Sequence, residues 1–200
     1  MAYIGVQPPT QKGGRVLIKS MEASGESAIN FVDGADGVVF DTTYDSYEWH
    51  WVSIHPSSNG VTFMFQVNAT DDAGGGFDTS VITSTYWRAK HHEDDSASGL
   101  DYIDAYDLAN STDFQILPNE TGNEDDESTS GVLKIFNAGS TVLSKNFISR
   151  SSNAHHNNIS MDNFVAGYIN DTTAIDEISF KFTSGTVDGG EMYMYGVKNA

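Results

Sequence analysis

Hydrophobic and polar side chains alternate along much of this chain with a period of two, most clearly over residues 44–67. Tyr47, Trp49 and Trp51 fall on one face of a first run, and Val61, Phe63, Phe65 and Val67 on one face of a second. Successive side chains of a strand point to opposite faces, so each run reads as a β-strand. Pro56 and Asn59-Gly60 lie between them and supply a fixed φ and a tolerated positive φ for a turn. The two runs are therefore expected to form a β-hairpin, with His50 and Val52 on the face opposite the tryptophans.

Further strands are expected near 16–19, 28–32, 38–40, 80–90, 113–117, 132–136, 142–149, 159–169, 174–183 and 191–197. Gly-rich, acidic or Asn/Ser-rich turns separate them, among them 71–76, 121–128 and 184–190. Over 100–109 the positions Leu100, Ile103, Ala105, Tyr106 and Leu108 fit a helical or a strand period, so a helix competes there with a strand. Short strands punctuated in this way predict an all-β chain, a single antiparallel β-sandwich of jelly-roll-like form over residues 15–200. Residues 1–14, with Pro8-Pro9 and Gly13-Gly14, read as an extended N-terminal arm that docks on something else.

A length of 200 residues with 38% hydrophobic content suits one domain with a sizeable core. Cysteine is absent, so neither disulfides nor thiolate-bound metal hold the fold. No apolar run reaches the roughly 20 residues that cross a bilayer, and the first residues lack the basic start and apolar core of a secretion signal. Acidic residues number 28 against 10 basic ones, a formal charge of −18 that repels nucleic acid and anionic membranes. Neither is expected as a partner. Such a charge serves solubility, or adaptation to salt water, because at roughly 0.5 M ionic strength the screening length falls to about 4 Å.

Candidate chemistry is sparse. His91-His92-Glu93-Asp94-Asp95 and His155-His156 contain metal-ligating types, but adjacent residues on a strand point apart. The run Glu124-Asp-Asp-Glu127 offers carboxylates for calcium without the alternating spacing of calcium loops, and a solvated loop is the expectation. No G-x-S-x-G turn, H-E-x-x-H or P-loop occurs, so no catalytic residue, metal or cofactor is assigned. Five glycosylation acceptor patterns, at Asn68, Asn110, Asn119, Asn158 and Asn170, are expected to be bare.

The aromatics carry the remaining signal. Tyr44, Tyr47, Trp49, Trp51, Tyr86 and Trp87 are candidates for a sugar-stacking platform or a subunit interface. Tryptophan at alternate strand positions more often fills a sandwich core, which is the expectation for Trp49 and Trp51. Tyr44, Tyr47 and Trp87 then remain as possible ligand or interface aromatics.

Several segments in order carry a resemblance. They are Met1-Ala-Tyr-Ile-Gly5 with its Pro-containing arm, Tyr44-x-x-Tyr47 running into Ile54-His-Pro-Ser-Ser-Asn-Gly60, Gly131-Val-Leu-Lys-Ile-Phe-Asn137, and the closing Thr183-Ser-Gly-Thr-Val-Asp-Gly-Gly-Glu-Met-Tyr-Met-Tyr-Gly-Val-Lys198. In this the chain resembles small β-sandwich structural proteins of tailed bacteriophages, especially marine ones. The resemblance implies a non-enzymatic component of the virion surface, on the head as a decoration protein or on the tail as an appendage or fibre. It would bind other virion proteins through the N-terminal arm and form a homo-oligomer, expected to be a trimer. The alternative is a carbohydrate-binding module that recognises host surface glycans.

Overall fold

The described residues form twelve strands, most of them where the alternation predicts and with one face turned to the core. The computed structural model describes residues 14–70 and 79–198, so the arm except Gly14, and the turn over 71–76, lie outside the described residues. The strands are β1 (Gly14–Glu22), β2 (Ile29–Val32), β3 (Ser46–Pro56), β4 (Phe63–Ala69), β5 (Ile82–His92), β6 (Ser98–Tyr102), β7 (Gln115–Ile116), β8 (Thr129–Phe136), β9 (Lys145–His155), β10 (Ile159–Ile169), β11 (Ile175–Phe182) and β12 (Val187–Lys198). They pair antiparallel into two sheets: a wide one in the order β1-β12-β3-β8-β9-β10-β5-β6 and a narrow one in the order β2-β11-β4-β7. The chain is an all-β sandwich of these two sheets.

The expected hairpin does not form. β3 pairs with β12 and β8 in the wide sheet, whereas β4 pairs with β11 and β7 in the narrow one. The segment between them is a crossing from one layer to the other, turned at Gly60 with φ +66°. The physical reason lies in the two apolar faces. A hairpin would put Trp49 and Trp51 on the same side of one sheet as Phe63 and Phe65, and both faces would need cover from elsewhere. Set in opposite layers, they cover each other: the Trp51 and Phe63 rings lie 5.7 Å apart, and all four side chains are buried. Phe31, Phe180 and Phe40 complete the cluster around Trp49, at ring separations of 6.4, 6.2 and 5.9 Å.

Two other expectations shift. Val38 and Phe40 are buried without joining a ladder, because the Phe40 amide donates to the Asp33 carboxylate at 2.8 Å and so caps a loop. Over 100–109 the strand β6 is followed by a single 3-10 turn, Asp104–Tyr106, and no α-helix forms there.

Where the narrow sheet ends, the inner faces of β5, β9 and β10 turn polar. Tyr86 donates to Asn163 at 2.6 Å, Asn163 to Asn153 at 2.9 Å, and Asn153 to the Asn119 carbonyl at 2.9 Å. The segment around Asn119 lies against these strands, tied by backbone bonds from Gly122 to Ala154 and from His156 to Glu120. Buried amides are tolerated here because each finds a partner.

Candidate functional site

Among the described residues no layer packs on the outer face of the wide sheet, and its register sets one row of side chains across seven strands. In order they are Tyr193 (β12), His50 (β3), Val132 (β8), Arg150 (β9), Phe164 (β10), Trp87 (β5) and Tyr102 (β6), each directly opposite the next. Directly opposed positions hold their side chains roughly 5 Å apart, so the row makes continuous contact. Trp87 and Phe164 stack face to face with centroids 3.9 Å apart and planes within 2°. The Arg150 guanidinium lies over Phe164 at 4.8 Å from its centroid, and Asp162 fixes it there through two bonds of 3.0 and 2.8 Å. This bidentate pair keeps the Arg150 side chain flat over Phe164.

One pair along the strands, a second row brings Glu48 (β3) opposite Lys134 (β8). The Glu48 carboxylate is nearly buried beneath Arg15 at 2.5 Å, Lys134 at 3.2 Å and His50 at 3.1 Å. Burial alone would push its pKa up. Hydrogen bonds from His50 and Lys134 and the charge of Arg15 outweigh that and hold it below the ordinary glutamate value. Among the described residues two permanent cations thus share one carboxylate, which leaves one positive charge in excess. Between the aromatic stack and this cluster lies a depression of about 510 Å³, with Val132, Ile148 and Ala166 among its lining. Among the described residues its walls include Arg15, Lys134 and Arg150 and the single acidic residue Glu48, with Asp162 paired to Arg150 beside them, in a chain where acidic residues outnumber basic ones 28 to 10.

The three aromatics expected to meet a ligand do not come together. Trp87 stands on the open face, 38% exposed. Tyr47 is wholly buried, so its ring packs the core; its hydroxyl accepts from the Asp41 amide at 2.9 Å, and burial pushes its pKa well up. Tyr44 packs edge-on against Tyr47 at 5.7 Å and covers Gly196, and it lines a separate depression with Asp41 and Asn137. Trp49 and Trp51 are core residues, as expected, while His50 and Val52 face outward. Phe164, Arg150, Lys134, Arg15 and Glu48 were missed. Each lies on a different strand from Trp87, and alternation assigns them to a face without saying which strands are neighbours.

The metal-capable groups have other uses. His91 meets Asp95 at 3.1 Å, and His155 donates to Glu120 at 2.9 Å. Glu127 folds back to accept the Glu124 amide at 2.8 Å. Among the described residues no three His, Asp or Glu side chains are grouped to hold a metal ion. Two of the glycosylation patterns start at buried asparagines, Asn68 and Asn119.

No protein-family model matches the chain, and neither the curated proteins nor the solved structures contain a significant match.

Proposed function

We propose that this protein is a non-enzymatic structural component of a bacteriophage virion, displayed at the particle surface with the outer face of its wide sheet as the contact surface. The observation that carries the reading is the contrast between the two sides of the wide sheet. Its inner side is closed by the narrow sheet around an aromatic core, whereas its outer side keeps Trp87, Tyr102, Ile148 and Val52 exposed. Exposed aromatics and aliphatics gathered on one face mark a contact surface. The sequence resemblance to phage β-sandwich proteins supports the setting. The place of Gly14 supports it too, since it begins β1, an edge strand of the wide sheet. Attachment through residues 1–13 and association into a closed homo-oligomer, a trimer, belong to the same proposal.

The test is whether the chain is present on particles. Immunogold labelling and mass spectrometry of purified virions should find it in stoichiometric amounts. Deleting residues 1–13 should abolish incorporation and leave the melting temperature of the free domain unchanged. Intact virions without the chain would overturn the reading.

A further inference from the structure

We propose that the outer face of the wide sheet is a binding site for an acidic polysaccharide, whose sugar rings lie along the Trp87, Phe164 and Arg150 stack while its carboxylate or sulfate groups pair with Arg15 and Lys134. This goes beyond the virion assignment and does not depend on it.

Charge complementarity argues for an anionic ligand. On a chain of formal charge −18, a depression walled by Arg15, Lys134 and Arg150, against Glu48 and the Asp162 that pairs Arg150, is a local reversal of sign with one cation in excess. Arg15 and Lys134 share Glu48, so their remaining donors are available to an anion while Glu48 holds them in place. The aromatic wall argues for a sugar, because ring faces and edges bury the apolar C–H groups of a pyranose beside donors that meet its polar groups. Lys134 lies two strands from Phe164, roughly 10 Å at the usual strand spacing. The wall and the cations are thus far enough apart to engage successive units of one chain. An acidic peptide is the poorer fit. Extended peptides bind by adding to a sheet edge, and the strands that floor this depression, β3, β8, β9, β10 and β5, are all paired on both sides; the edge strand β1 contributes only the Arg15 side chain, which reaches Glu48 across β12.

The chain carries its own reporter. It has three tryptophans, and Trp49 and Trp51 are buried, so a fluorescence change on ligand addition reports on Trp87. The full-length protein is titrated with heparin, polygalacturonate and neutral dextran at about 150 mM salt, by fluorescence and by calorimetry. Binding of heparin, of polygalacturonate or of both is expected, with the stronger one identifying sulfate or carboxylate as the preferred group, and dextran should give no signal. Trp87→Ala and Lys134→Gln should each weaken binding by about tenfold or more, while Glu48→Gln, which removes the competing carboxylate, should strengthen it. Melting curves establish that each variant is folded. If Glu48→Gln fails to fold, Lys134→Arg, which keeps the charge, should retain binding. Absence of binding to both polyanions overturns the proposal. So does binding that the Trp87 and Lys134 variants leave unchanged, or a Trp87 signal that follows protein concentration alone with dimers in light scattering.

Discussion

The three tryptophans, two on β3 and one on β5 of the same sheet, have three different fates, and substitution separates them. Trp51 donates its indole N–H to the Thr129 hydroxyl at 3.3 Å, whereas the Trp49 N–H is buried with no hydrogen-bond partner. Replacing either by Ala should destabilise the domain by about 3–5 kcal/mol, since lost transfer energy adds to a cavity. The Phe replacements should differ. Trp51→Phe gives up a hydrogen bond and leaves the Thr129 hydroxyl with only its bond to the Ser152 carbonyl, at a cost of about 1 kcal/mol beyond the lost volume. Trp49→Phe removes an unpaired polar group and should cost less. Trp87→Ala, on the open face, loses only its stacking and should cost about 1 kcal/mol or less. Chemical denaturation of the variants checks this order, and equal losses at Trp49 and Trp87 would contradict it.

The same scale holds the pH response. His155 Nδ1 accepts from the Asn157 amide at 3.1 Å while Nε2 meets Glu120 at 2.9 Å, so the neutral ring with its proton on Nε2 satisfies both partners. Burial lowers the pKa of His155 further than Glu120 raises it, with His156 and Arg88 adding to the lowering. The contact is therefore a hydrogen bond from a neutral imidazole near pH 7. Because the folded pKa lies below the unfolded value of roughly 6.5, the unfolded chain takes up the proton first, and stability is lost as pH falls from there. The melting temperature should drop between pH 7 and pH 5, and His155→Gln, which keeps a donor toward Glu120, should flatten that slope. Below this window Glu48 and Glu120, both held under the ordinary glutamate value, lose their contribution as they protonate.

At the scale of elements, the strands were legible and their partners were not. β10 carries its alternation in the sequence over Ile159 to Val165, whereas β9 alternates in burial but buries Lys145, Ser149, Ser151, Asn153 and His155 and exposes Ile148, so its sequence does not show the core face and its second half is not legible as a strand. β3 is different. Ser46, Tyr47, Glu48 and Trp49 are all buried, because Arg15 and Lys134 close over Glu48 on the outer side. Its register also depends on one missing side chain. A Cβ at Gly131 would lie 2.5 Å from the Trp51 ring and 2.7 Å from the Arg150 carbonyl. Gly131→Ala should therefore destabilise the domain by about 1–3 kcal/mol, the usual cost of overpacking. Thermal unfolding measures it, and a neutral result would mean that β8 and Trp51 can move apart.

For the whole molecule, electrostatics dominates the environment dependence. With 18 excess negative charges, self-repulsion opposes compaction, and salt should relieve it. The melting temperature should rise between low salt and roughly 0.5 M, with divalent cations acting at lower concentration. A flat or falling curve would remove charge repulsion from the account. Light scattering at tens of micromolar addresses assembly: a trimer is expected, and a monomer both alone and on particles would remove oligomerisation from the proposed function.

The sequence by itself determined that this chain is all-β, where most strands lie, and that Trp49 and Trp51 are inside. Period-two alternation and turn chemistry are local properties that a reader of residues can see. Tertiary structure alone decided that β3 and β4 face each other across the core. Strand pairing depends on which apolar faces can cover one another, and that is settled between segments far apart in the chain. The outer face is a product of the same choice: Arg15, Glu48, Lys134, Arg150, Phe164 and Trp87 come from six strands and meet only because the ladders place them side by side.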